Sequence, residues 1–127
     1  MATSEHFSDR ELRCRHCYEN LVDDGFLHFL ETLRSRVGIP LVVSSGYRCP
    51  VHNAAVSTTG AHGPHTTGKA VDILIAGEDA FRLIRFALAL QATGIGVKQK
   101  GPVGSRFIHL DILTEQEGFP RPRFWSY

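Results

Sequence analysis

Cysteine is scarce in this chain: three in 127 residues, an odd number, exclude a disulfide framework and leave the redox compartment open. Charge of one sign is lacking too. With 14 basic against 13 acidic residues the net charge is +1, so there is no sustained field to attract nucleic acid or an anionic membrane. No apolar run approaches the ~20 residues of a membrane-spanning helix, and the longest candidate, residues 81–90, is broken by Arg82 and Arg85. The first ten residues lack the basic-then-apolar order of a signal peptide. The expectation is a protein made in the cytoplasm that reaches other compartments through a partner. His-Glu-x-x-His, Gly-x-Ser-x-Gly and a phosphate-binding loop are all missing, which removes support for other common hydrolase and nucleotide classes.

What is present describes one globular domain. Hydrophobic residues make up 43% and charged residues 21%, enough to bury a real core, and a monomeric single domain over residues 1–127 is expected. Residues 1–20 are polar and mixed and read as a wrapping N-terminal arm, with a short capped turn at residues 7–11. From Asp23, the spacing of Phe26, Phe29, Leu30, Leu33 and Val37 predicts a helix stopped by Gly38. Residues 41–45 are β-branched and predict a buried strand. Residues 46–68 show little periodicity and read as an irregular, functional loop of about twenty residues. Residues 69–75 alternate, with Val71, Ile73 and Ile75 on one face and Asp72 on the other. A second helix is predicted from Glu78 through Phe81, Ile84 and Leu88 to a stop near Gly94, followed by strands at residues 94–97 and 105–113. The fold class expected is α+β: a small, mostly antiparallel sheet with two helices packed on one face.

The residues that could carry chemistry cluster in two stretches. His65-Thr66-Thr67-Gly68-Lys69-Ala70-Val71-Asp72 places a histidine and a carboxylate one strand-length apart, and His109-Leu110-Asp111 puts a histidine and a carboxylate on one strand face. Two imidazoles and a carboxylate are a donor set for a catalytic zinc, with one position left for water. Asp72 and His109 converge only if their strands pair, and scattered loop and sheet residues are the alternative. His62-x-x-His65 is a second candidate pair, but Gly63 and Pro64 give it no helical face.

The motif His-x-x-Gly-x-Ala-x-Asp followed by Phe-Ile-His-Leu-Asp resembles the zinc D-alanyl-D-alanine carboxypeptidase and phage endolysin family, peptidase family M15, whose fold is shared with the hedgehog signalling domain. Ser44-Ser45-Gly46-Tyr47-Arg48, His52-Asn53, Phe7-Ser8 and Trp125-Ser126-Tyr127 extend the likeness over nearly the whole chain. The resemblance implies a hedgehog/DD-peptidase-like fold, one zinc per chain held by His65, Asp72 and His109, and Arg48 acting on the substrate carbonyl. It also points to Ser45, Tyr47, His52 and Trp125 as substrate-binding residues and to a peptidoglycan stem peptide as substrate. One departure stands out: Gly63 occupies a position where the family usually has serine, which implies a lost hydrogen bond behind a ligand.

A zinc hydrolase also needs a proton acceptor. Related sequences place an acid shortly before the last histidine, yet no Asp or Glu occurs between Ala80 and Ile108. Asp111 is therefore the candidate base, with orientation of His109 as its other reading, and Glu115 and Glu117 are weaker candidates. The empty position keeps a non-catalytic, zinc-stabilised binding or phage structural module open. Among enzymes, a D,D-carboxypeptidase or endopeptidase and an endolysin cutting the L-alanyl-D-glutamate bond both fit. An endolysin would reach the cell wall through a partner pore or in a phage particle. Cys14-x-x-Cys17 invites a zinc-knuckle or redox reading, but with no second pair a structural role together with Cys49 is expected.

Overall fold

The computed structural model describes residues 3–127; Met1 and Ala2, the start of the expected arm, lie outside the described residues. The elements in chain order are α1 (Asp9–Leu12), α2 (Asp24–Val37), β1 (Val42–Ser45), α3 (Pro50–Val56), β2 (Ala70–Leu74), α4 (Gly77–Ala89), β3 (Gly94–Lys98), β4 (Phe107–Asp111) and β5 (Arg123–Ser126). Short 3-10 turns at Gly60–His62 and Pro64–Thr67 fill the connection before β2. The sheet runs β1-β2-β4-β3-β5, antiparallel except for the parallel β3–β5 pair. This is the expected α+β architecture.

Local chemistry explains the elements. Ser8 and Glu11 cap α1 reciprocally, and Asp23 accepts a hydrogen bond from Phe26 N at the start of α2. The α2 stripe of Phe26, Phe29, Leu30, Leu33 and Val37 is buried in full. It packs with α4 over the sheet face carrying Val71, Ile73, Ile95, Ile108 and Leu110. Phe7 and Leu12 are completely buried in that same core; burial of a side chain such as Phe7 stabilises by roughly 1.5–3 kcal/mol.

Four expectations are corrected. The strand at residues 41–45 is an edge strand, with Val42 exposed, because no strand among the described residues pairs with its outer side. Residues 46–68 are not wholly irregular: α3 forms behind the cap at Cys49 with Pro50 in its first turn, and escapes periodicity analysis because its only buried residue is the polar Asn53. In α4 the core face is Ala80, Leu83 and Ala87, whereas Phe81 is 74% exposed and Leu88 58%. The same helix ends at Ala89, where Gln91 takes a left-handed φ of 69°, so Gly94 is not the stop but the first residue of β3.

Candidate metal centre

Strand register builds the site. Ser45 stands opposite Asp72, Asp72 opposite His109, His109 opposite Gly96, and Gly96 opposite Trp125. One row of side chains thus crosses all five strands on the face away from α2 and α4, since cross-strand partners share a face. A Cβ at Gly96 would sit 2.6 Å from Trp125 Nε1, so glycine is what admits the indole, whose ring centroid lies 5.1 Å from that of His109. Gly94 makes room in the same way for the Asp111 carboxylate.

His65 arrives from the 3-10 turn Pro64–Thr67, which ends at Gly68 with a left-handed φ of 76°. Gly68 is tight as well as turned, because a Cβ there would collide with the Leu21 carbonyl. The loop after β1 clasps His65 twice: Arg48 N donates to His65 O at 3.1 Å, and the ring Nδ1 meets Gly46 O at 2.8 Å.

The hydrogen bonds fix which ring nitrogens face inward. A carbonyl only accepts, so His65 Nδ1 carries the hydrogen and Nε2 presents its lone pair to Asp72 Oδ1 at 3.2 Å. His109 Nε2 contacts Asp111 Oδ2 at 2.7 Å, and Asp111 also accepts two bonds from Arg121, at 2.9 and 2.8 Å. That carboxylate is ionised: burial would raise its pKa, but His109 and Arg121 outweigh burial and lower it to about 2. Nε2 of His109 must then donate, which leaves the Nδ1 lone pair aimed at Asp72 Oδ1, 3.1 Å away.

Three electron-pair donors, His65 Nε2, Asp72 Oδ1 and His109 Nδ1, therefore converge in a buried cluster within 4.8 Å of one another. Their 3.1 and 3.2 Å separations from Asp72 are close to the roughly 3.3 Å between ligands of a tetrahedral zinc with bonds of ~2.0–2.1 Å. In mutual contact without a cation, such atoms repel unless imidazole is protonated. Burial opposes that charge on His109, yet the carboxylates of Asp111 and Asp72 prevail and raise its pKa. Asp72 is held far below the usual carboxylate range: its own burial works against this, and His65 and His109 overcome it. The residues fit a divalent cation, and each imidazole has its outer nitrogen anchored as metal-bound histidines do.

A cavity of about 580 Å³ opens over the three donors, lined also by Arg48, Arg123, Trp125 and Tyr127. Arg48 is pinned by Ser45 Oγ at 2.8 Å, Asn53 Oδ1 at 3.1 Å and the free oxygen of Asp72 at 3.2 Å. Ser45 thus reaches the site through Arg48. Two residues named from the sequence lie elsewhere. Tyr47 is buried in the core, and His52 sits on α3 stacked on His16, with ring centroids 6.0 Å apart. His62 is exposed and joins no donor cluster among the described residues, while Glu117 is tied at the surface to Lys69, 2.8 Å away. Asp111 lies behind His109, fully buried and outside the cavity lining, with both oxygens engaged.

Two site residues escaped the sequence reading. Asn53, fully buried, links Arg48 to Thr59 Oγ1 at 2.9 Å and to the Gly60 carbonyl; its place beside His52 in the resemblance was the available signal. Arg121 had none, because it is joined to Asp111 only by the fold. The departure at Gly63 also finds its reason: a Cβ there would collide with the Thr59 hydroxyl and press on the Asn53 amide. Thr59 and Asn53 occupy the space a serine would need.

Compared with known proteins, the chain matches a family model described as Peptidase M15 over residues 5–111. No curated protein and no solved structure matches it. Among the described residues, no helix is long and apolar enough to cross a membrane.

Proposed function

We propose that this chain, which belongs to the Peptidase M15 family, is a zinc metallopeptidase that hydrolyses peptidoglycan stem peptides. The observation that carries the reading is the convergence of three lone pairs, from His65 Nε2, Asp72 Oδ1 and His109 Nδ1, beneath an open cavity. His65, Asp72 and His109 would hold the ion and leave its remaining position toward the cavity. Zinc bound there supplies a Lewis acid that lowers the pKa of water toward ~7 and polarises a carbonyl.

The chain's own residues do the rest. Arg48 uses three of its five N–H groups on Ser45, Asn53 and Asp72, which leaves two for a substrate carboxylate or a developing oxyanion. Arg123 adds a second cation to the cavity wall. Two guanidinium groups suit a peptide that ends in a carboxylate, and this favours removal of a terminal D-alanine. Trp125 and Tyr127 line the cavity and offer aromatic faces to a bound peptide. Asp111 suits orientation of His109 better than the base role, because it meets the cavity only through that imidazole.

The test is incubation of the zinc-loaded chain with purified peptidoglycan and with a stem pentapeptide ending in D-alanyl-D-alanine, followed by mass spectrometry. Release of D-alanine, abolished in His109→Ala, is the expected result. Cleavage at the L-alanyl-D-glutamate bond would move the specificity to the endolysin type. Zinc bound with no bond cut would overturn the hydrolase reading in favour of a binding module.

A further inference from the structure

The cysteines form a second donor cluster that shares no atom with the histidine centre. Cys14 and Cys17 lie in the turn after α1 and Cys49 caps α3, yet the three sulfur atoms are within 4.8 Å of one another and all are free thiols. The turn folds back tightly on itself. Tyr18 takes a left-handed φ of 64°, Tyr18 N donates to Cys14 O, and Cys14 N donates to Glu19 O. Backbone donors aim at sulfur: His16 N and Cys49 N approach Cys14 Sγ at 3.4 and 3.3 Å, and His52 N approaches Cys49 Sγ at 3.4 Å. A neutral thiol accepts weakly, so three N–H groups directed at two sulfurs form a cradle suited to thiolates. His16 Nδ1 stands 3.5 Å from Cys49 Sγ at the outer side of the cluster.

We propose that Cys14, Cys17 and Cys49 bind a structural zinc ion that staples the N-terminal arm to the loop carrying Arg48, with His16, which touches Cys49 but stands outside the three-sulfur cluster, turning in as fourth donor. Soft thiolates with one imidazole select zinc, and four protein donors make a closed tetrahedral site with no position for substrate. Sulfurs around one zinc lie about 3.8 Å apart for bonds of ~2.3 Å, within the spacing found here. A disulfide would use two cysteines and strand the third. The ion would act next to Arg48, because Cys49 both follows it in the chain and starts α3, whose Asn53 holds the guanidinium. The chain would then carry two zinc ions, one per cluster.

Cobalt separates the clusters, since the histidine centre contains no sulfur and only the cysteines can give thiolate-to-cobalt charge transfer. Titration of the metal-free chain with Co²⁺ is expected to raise that band to saturation within two equivalents, and at one equivalent once the histidine centre is disabled by His109→Ala. The band should be lost in Cys49→Ser and kept in His109→Ala, while His16→Ala should lower metal affinity by roughly tenfold or more. On the unmutated zinc-loaded chain, a mercurial thiol reagent should release one equivalent of zinc as the thiols react. Absence of the band with three freely titrating thiols, or a count of a single thiol, would overturn the site. An unchanged affinity in His16→Ala would remove His16 from it. None of these readings needs peptidase activity, so they stand or fall apart from the proposed hydrolysis.

Discussion

The two donor clusters reach similar compactness by opposite means. Asp72 and His109 sit on neighbouring central strands, where the β2–β4 ladder holds them face to face whether or not an ion is present. The outer nitrogens of the two imidazoles are fixed as well, that of His109 by Asp111, itself held by Arg121, and that of His65 by the Gly46 carbonyl. The cysteines come from two loops far apart in the chain, and the backbone bonds that support them end on weak sulfur acceptors. A sheet-borne site is preorganised for chemistry that needs an open position. A loop-borne site takes its order from the ion it binds, as expected when metal binding is coupled to folding.

The contrast can be broken most forcefully at Asp111. Asp111→Asn leaves the Arg121 guanidinium buried without its carboxylate, which should cost about 3–5 kcal/mol in denaturant unfolding. It should also lower zinc affinity at the histidine centre by roughly 10–100-fold while the cobalt–thiolate band is unaffected. Full zinc retention with loss of turnover alone would instead restore Asp111 to the base role.

Acidity should sharpen the contrast between metal-loaded and metal-free chains. The His109 pKa is raised above 6.5 in the folded metal-free chain, so this group's contribution to stability is complete below 6.5 and is lost as pH rises through the raised value. Asp111, lowered from 3.8 to about 2, contributes above 3.8 and loses that contribution as pH falls toward about 2. Metal-free stability should therefore gain from His109 on acidification to 6.5, whereas zinc affinity falls over the same range because a protonated imidazole cannot ligate. Parallel melting curves and zinc titrations across that range check this, and affinity that is flat with pH would count against histidine ligation.

The smallest effect is expected at Gly63. Gly63→Ser must displace the Thr59 hydroxyl or the Asn53 amide, and overpacking of this kind costs about 1–3 kcal/mol. Loosening Asn53 should also raise KM through Arg48, measurable on a stem peptide, while the cysteine cluster keeps its metal. An unchanged KM would show that Arg48 does not depend on that contact.

Much of this was legible before folding was considered. The α2 stripe is written at helical spacing and is buried as read, and the alternation around Asp72 and His109 placed both opposite the apolar faces of their strands. In α4 periodicity misled, because that helix carries two plausible faces. The buried face sets a single large residue, Leu83, between Ala80 and Ala87, whose small side chains permit close approach, whereas Phe81 and Leu88 remain outside. Hydrophobicity ranks the second face higher, and packing distance chooses the first. The resemblance points to Tyr47 and His52 as site residues because they stand beside Arg48 and Asn53 in its motifs. A chain that turns at Gly46 and enters α3 at Pro50 sends Arg48 one way and its neighbours another.

By itself the sequence determined the donor types, the strand periodicity that gives Asp72 and His109 their faces, and the left-handed turn reserved by Gly68, because each depends on residues close in the chain. Tertiary structure alone decided that Asp72 would meet His109, that Arg121 would lock Asp111 behind it, and that Cys49 would join Cys14 and Cys17. These are contacts between distant segments, set by sheet order and by the packing of helices on one face of the sheet, and no local pattern encodes them.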